Sequence, residues 1–386
     1  MLHLLLAIIY LSFISLGLPD ALLGASWPTM YLEYDVPVSY AGIISMIIAL
    51  GTIISSLMSD RITYRLGPGK VTAISVAMTA AALYGFSTCN SFWMLCLWAI
   101  PYGLGAGSVD ACLNNYVALH YTSRHMSWLH CMWGLGASVG PYIMGWVLTG
   151  GGHWTGGYRT IALLQTTLAF AIVLSLPLWK GRSAVTPDGA ESKPLSLGQV
   201  LRLPGAKEVL ITFFCYCALE TTAGLWASSY LALHKGIPAD TAASFASLFY
   251  IGITVGRALN GFLTLKFTDT QLIRMGMVII GTGIAAMLLP LGETASLAGL
   301  ILIGLGCAPV YPCVIHSTPS HFGPEHAQSI IGVQMASAYV GTLSAPPIFG
   351  LMANHITTAL LPVYLLAILI LMALMHERLI RNVSHR

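Results

Sequence analysis

Five ionisable residues interrupt long apolar runs in this chain: Asp20, Asp110, His130, Glu220 and Arg257. A charged centre at bilayer depth costs at least about 2.5–3.5 kcal/mol on insertion scales. A carboxyl group withdrawn from water holds its proton more tightly and releases it when water or a cation arrives. Asp20, Asp110 and Glu220 are therefore the candidates for carrying a proton. Asp20 follows Pro19, which removes one backbone donor and loosens the helix there. On an unbroken helix Asp20, Gly24 and Trp27 share a face at i, i+4 and i+7. Asp110 and Asn114 lie one turn apart, and Gly103 and Gly107 on the same helix permit close approach of a neighbour. Arg257 is placed to pair with Glu220, which would make both structural.

A second set of residues has the chemistry to hold a polar solute. Near mid-membrane depth the sequence offers Trp27, Asn114, His130, Trp133, Gln165, Tyr250, Tyr311, Gln334 and Tyr339. Amides and acids beside aromatic rings suit a ligand with hydroxyl edges and C–H faces, such as a sugar. An isolated aromatic in a membrane helix more often packs or anchors at an interface. Asn114 and Gln334 carry more weight, because a buried amide needs partners. The histidines at 120, 125 and 130, and again at 316, 321 and 326, invite a metal reading. Five residues of helix, however, leave successive side chains about 140° apart, so no metal site is expected. There is no Ser-His-Asp set, HExxH motif or Walker loop, so neither an enzyme nor a cofactor is expected. Any uphill work would then draw on an ion gradient, at about 2.3 kcal/mol per proton across 100 mV.

The elements that position these groups are membrane helices. Hydrophobic residues make up 56% of the chain and charged residues 8%, against about 25% charged in a soluble domain. Apolar runs over residues 4–30, 38–59, 70–88, 91–118, 127–149 and 159–179 give six spans. Runs over 208–233, 240–263, 271–290, 295–317, 327–352 and 359–380 give six more. The runs lack the alternation of a barrel strand. The two halves repeat at an offset of 201 residues: Gly51 matches Gly252, Pro37 matches Pro238, and Gly103-Leu104-Gly105 matches Gly304-Leu305-Gly306. Asp110 then aligns with Tyr311, and Asp20 with Thr221 beside Glu220. We expect an all-α membrane protein of twelve transmembrane helices in two pseudo-symmetric six-helix bundles. Residues 1–179 form the first bundle, 180–207 a polar linker on the membrane surface, and 208–386 the second bundle with a short tail. Placing the N-terminus inside puts most Lys and Arg on one side and leaves Arg159 and Lys235 opposite, which makes both termini cytoplasmic.

Asp60-Arg61, followed by Arg65, Gly67 and Lys70, resembles the cytoplasmic motif of the major facilitator superfamily. Physically it is a charge clamp, with Asp60 pairing a cation or capping a helix. Gly17-Leu18-Pro19-Asp20 with Gly24 and Trp27, the run from Gly103 to Asp110 with Asn114, and His130 with Trp133-Gly134-Leu135-Gly136 and Gly140-Pro141 resemble the fucose:proton symporters and related hexose transporters. That resemblance implies proton and sugar handling by Asp20 and Asp110. It also implies alternating access about a central site, with Gly140-Pro141, Asp60, Arg61 and Arg257 in gating or structural roles. The expected function is proton-coupled symport of a small polar solute, a sugar. The alternatives are a proton-coupled exporter of lipophilic compounds, because Gly136-xxx-Gly140-Pro141 also resembles the antiporter signature, and sodium-coupled sugar uptake. The expected partners are the solute, protons and the lipid bilayer, without nucleic acid, for a monomer in a bacterial inner (plasma) membrane.

Overall fold

The computed structural model describes residues 2–20, 22–37, 40–179, 194–237, 239–289 and 292–384. The linker residues Lys180, Arg182, Pro187 and Lys193 lie outside them. In the first half, α1 (Leu2–Gly17) and α2 (Leu22–Glu33) share the first expected span. They are followed by α3 (Ala41–Leu66), α4 (Pro68–Phe86), α5 (Phe92–His120), α6 (Ser123–Thr149) and α7 (Trp154–Trp179). A four-residue helix, α8 (Leu197–Val200), opens on a Ser196–Gln199 capping box. The second half comprises α9 (Ala206–Leu233), α10 (Ala239–Leu263), α11 (Asp269–Leu288), α12 (Glu293–Phe322), α13 (Pro324–His355) and α14 (Leu361–Ser384). Among the described residues nine segments are long and apolar enough to cross a membrane, one of them Leu4–Trp27, which joins α1 and α2. The remaining long helices α6, α10 and α13, of 27, 25 and 32 residues, complete the expected twelve. The outward faces of α7 and α11 carry exposed apolar side chains such as Leu163, Phe170 and Val278, as a lipid-facing surface requires.

The first expected span is not one helix. Pro19 has no N–H to give to the Ser15 carbonyl, and its ring crowds that carbonyl. The chain therefore turns through residues 18–20 before α2 begins. The freed Ser15 oxygen accepts a hydrogen bond from Gln165 Nε2 of α7 at 2.7 Å, and Thr79 of α4 donates to Gln165 Oε1 at 2.7 Å. A buried carbonyl without water needs such a substitute. The matching helix of the second half, α9, runs unbroken from Ala206 to Leu233. The expected equivalence of the two helices thus stops at Pro19.

Two links between helices are made almost entirely by Gly-Pro. Gly67 closes α3 at φ 78° and Pro68 begins α4; Gly323 closes α12 at φ 87° and Pro324 begins α13. Glycine alone takes that φ freely, and proline at the first helical position gives up an N–H that would go unbonded anyway.

The duplication is visible as matching seams. A methyl group on Gly103 of α5 would collide with the Ile48 carbonyl of α3, and Thr52 donates across to the Gly103 carbonyl at 3.2 Å. In the second half a methyl on Gly304 of α12 would collide with the Phe249 carbonyl of α10, and Gly252 lies opposite Ile301 and Gly304. Contacts group the chain into two compact units. The first comprises Met1–Leu119, Leu129–Leu195 and Pro324–Ala336; the second comprises His120–Trp128, Ser196–Gly323 and Ser337–Arg386. Each unit is one half of the chain with a short stretch belonging to the other. Because the α10–α12 seam has no room for a side chain, Gly304→Ala should cost about 1–3 kcal/mol of overpacking. Gly24→Ala, at a position with open space around it, should not lower stability. Thermal unfolding of both variants in one detergent tests the contrast.

Candidate functional site

In the first unit two acids are held by the same pair of helices, α5 and α6. Asp20 sits in the break after Pro19 and is exposed. The Trp133 indole donates to its Oδ2 at 2.8 Å, and the Tyr102 hydroxyl donates to its Oδ1 at 3.2 Å. Trp133 reaches Asp20 because α1 and α6 touch backbone to backbone. A methyl on Gly17 would collide with the Trp133 carbonyl, one on Gly136 with the Ile14 carbonyl, and one on Gly140 with the Leu18 carbonyl. Gly140 thus fixes the distance between α1 and α6, and α6 continues helical through Pro141.

Asp110 is 4% exposed and Asn114 is fully buried. Asn114 Nδ2 donates to Asp110 Oδ1 at 2.8 Å, one helical turn away as the sequence spacing requires. With its NH2 turned to the acid, Asn114 presents Oδ1 to His130 Nε2 at 3.0 Å, so that nitrogen donates. His130 is buried, with the Phe13 ring edge-on at a centroid distance of 5.4 Å. A carboxyl, an amide and an imidazole therefore form one hydrogen-bonded chain from α5 to α6. His130 and Trp133, three residues apart, lie on one side of α6. Tyr102 and Asp110, eight residues apart, are separated by about 12 Å along α5. The two acids are neighbours through shared helices, without direct contact.

The second unit holds a different cluster. Arg257, 3% exposed, lies 3.5 Å from Glu220 Oε2, and its NH2 also points at the Tyr216 hydroxyl at 3.4 Å. Tyr216 donates to the same Glu220 oxygen. The Arg257 guanidinium stands 5.8 Å from the centre of the Tyr311 ring, and Tyr311 meets Phe213 edge-on at 4.7 Å. The pairing of Arg257 with Glu220 expected from the sequence is present. Tyr311, the counterpart of Asp110, is part of this aromatic and ionic cluster.

Trp27 is 5% exposed and packs in the core of the first unit, edge-on to Phe92 at 6.4 Å. The shared face with Asp20 and Gly24 fails because the helix is broken between them; Gly24 is open where Trp27 is enclosed. Gln165 has both ends of its amide engaged by Ser15 and Thr79. Gln334 is fully buried in α13, and Tyr339 of the same helix is half-buried. Among the described residues Asp60 makes no ion pair and no helix cap. It accepts from the Ser329 hydroxyl of α13 and from the Leu195 backbone N–H at 3.3 Å, while Arg61 is exposed. Residues 324–336 of α13 belong to the same unit as Asp60. Among the described residues no group of three or more His, Cys, Asp or Glu is arranged to hold a metal. Sequence reasoning missed Tyr102 and Tyr216. Tyr216 lies one turn before Glu220, a spacing visible in the sequence. Tyr102 carries no such signal, since its partner Asp20 is on another helix.

Comparison with known proteins agrees with this architecture. A family model described as Major Facilitator Superfamily matches residues 9–346 and 209–382. The chain is 24% identical over 285 residues to "Bypass of stop codon protein 6" of Saccharomyces cerevisiae, a match covering 67% of this chain and 56% of that one. It is 25% identical over 350 residues to "Uncharacterized transporter y4wD" of Sinorhizobium fredii, covering 86% and 87%. The crystal structure of FucP in an outward conformation superposes with a TM-score of 0.77 at 16% identity, over 96% of this chain and 98% of that one. The proton:xylose symporter XylE superposes with a TM-score of 0.77 at 12% identity, over 96% and 94%. With twelve long helices, duplicated seams and a family model that spans most of its length, this chain is an integral membrane protein that belongs to the major facilitator superfamily.

Proposed function

We propose that this chain is a secondary active transporter that couples protons to the movement of a small polar solute, a sugar, by alternating access. The observation that carries the reading is the exposed Asp20 carboxylate, held by Trp133 and Tyr102 on the helices that also bear the buried Asp110–Asn114–His130 chain. An open acid beside an indole offers a solute both an acceptor for its hydroxyls and a flat apolar wall. A buried acid in a relay of exchangeable hydrogens suits a proton. On this reading Asp110 is the proton carrier and Asp20 faces the solute, with His130 serving the relay. Trp133, Tyr339 and the edge of Tyr311 are the proposed solute contacts, while Trp27 and Gln165 stabilise the bundle. Protonation removes the cost of closing over an unpaired charge, and the halves 1–179 and 208–386 are the proposed moving bodies. The proposed setting is a monomer in a bacterial plasma membrane with both termini in the cytoplasm. FucP, a fucose:proton symporter, and XylE, a proton:xylose symporter, share the fold.

Proton flux into liposomes, measured against hexoses, deoxyhexoses and lipophilic cations, tests the reading. Adding a transported sugar should alkalinise the outside. Asp110→Asn should abolish that proton signal, and Asp20→Asn should weaken solute uptake by tenfold or more, about 1.4 kcal/mol. A response to lipophilic cations alone would favour the exporter, and a response requiring sodium would favour sodium-coupled uptake. Unchanged transport in both variants would make the acids structural.

Glu220 is a weaker proton carrier on this reading, because Arg257 and Tyr216 already occupy its carboxylate. We assign the pair a structural role. Arg257→Met alone should leave a buried charge uncompensated and cost about 3–5 kcal/mol, and the double variant with Glu220→Gln should recover much of that loss. Melting temperatures of the two single variants and the double variant decide it. A double variant at least as unstable as the sum of the singles would refute the pairing.

A further inference from the structure

The histidine at 316 takes part in a construction that the transport reading leaves unused. Thr268 and Gln271 form a capping box at the start of α11, which leaves the carboxylate of Asp269 free for other contacts. Asp269 Oδ1 accepts from the Ser123 hydroxyl at the start of α6, and Oδ2 lies 2.6 Å from His316 Nδ1 of α12. The other ring nitrogen, His316 Nε2, lies 3.2 Å from the Tyr121 carbonyl in the turn between α5 and α6. Residues 120–128, all in the second unit, are tied down further along. Asn260 of α10 donates to Ser127 at 2.8 Å, and the Trp128 indole donates to the Ala258 carbonyl at 3.4 Å.

The proton count of this arrangement is constrained by its partners. A backbone carbonyl has no hydrogen to give, and neither has a carboxylate. A neutral imidazole carries one N–H and can satisfy only one of them. For both contacts to be hydrogen bonds beside an ionised Asp269, His316 must carry a proton on each ring nitrogen. Losing one of these protons removes one of the two bonds and leaves Asp269 without its counter-charge.

We propose that Asp269 and His316 form a proton-binding latch, separate from Asp20 and Asp110, that fastens the turn between α5 and α6 to α11 and α12. The latch is closed when the proton is bound and loosens as pH rises. Other titratable and charged groups stand about it among the described residues. Cys313, on α12, meets Ser123 at 4.0 Å and Asn260 at 3.7 Å. His321, also on α12, feels the charge of Asp269, and His376 of α14, with Arg274 and Glu377 beside it, lies beyond His321. On the α5–α6 side, the His125 ring lies 5.5 Å from Tyr121, and Arg124 stacks over Trp128 at 5.2 Å.

The latch is tested on the full chain in nanodiscs, between about pH 5.5 and 8.5, a range that brackets an ordinary imidazole. Amide hydrogen exchange of residues 120–128, corrected for the intrinsic effect of pH, should accelerate roughly tenfold or more as the proton leaves. In His316→Gln the segment should exchange fast at every pH, while residues 100–110 stay unchanged. In the unsubstituted protein, the nitrogen NMR shifts of His316 should show two N–H groups at the acid end and one at the alkaline end. A segment whose protection ignores both pH and the substitution overturns the latch, even if the imidazole titrates. So does an imidazole with one N–H throughout the range. The NMR titration needs no variant, so a misfolded His316→Gln would not shield the proposal.

Discussion

Helices in lipid have no water to expel from between them, so their attraction rests on backbone approach and on hydrogen bonds made inside the bundle. Here the approach is set by glycines. Gly17, Gly136 and Gly140 bring α1 against α6 so closely that a single methyl group would part them. That contact carries the Trp133 indole to the Asp20 carboxylate. The seams at Gly103 and Gly304 do the same for α3 with α5 and for α10 with α12. Polar chemistry at the site is thus positioned by residues that have no side chain at all.

The same absence of water governs the polar side chains. Several buried groups have their need met by a neighbour within the bundle. Gln165 replaces the donor that Pro19 lacks, Asn114 bridges Asp110 to His130, and Tyr216 and Arg257 converge on one oxygen of Glu220. The halves share a scaffold but differ in what they hold. The first keeps two acids among neutral donors. The second has its acid neutralised by an arginine under an aromatic ring, where the duplicated position of Asp110 has become Tyr311.

Much of the scaffold was legible in the sequence, because apolar length and the offset between Gly51 and Gly252 are one-dimensional signals. The Asp110–Asn114 and Glu220–Arg257 pairs were legible too, the first from one-turn spacing and the second from the cost of lone charges in lipid. Trp27 was misplaced because its spacing from Asp20 assumes a continuous helix. Pro19 announces a loosening but not that α1 ends at Gly17 and α2 starts only at Leu22. The part played by Gln165 was invisible, since the carbonyl it serves is 150 residues away. Asp60 was read as pairing a cation or capping a helix; among the described residues its hydrogen-bond partners are a hydroxyl and a backbone amide. Such choices depend on which helix ends pack together, and no local pattern records that.

The break at Pro19 has a mechanical consequence. An intact helix resists bending because its ladder bonds must stretch or open. At Pro19 the rung is already missing and its acceptor is held from the side by Gln165, so bending between α1 and α2 has one ladder bond fewer to open. Compliance is concentrated at the spot where Asp20 resides, while α9 remains a stiff rod. A duplicated protein has in this way one interrupted limb and one continuous limb, and Asp20 sits at the interruption.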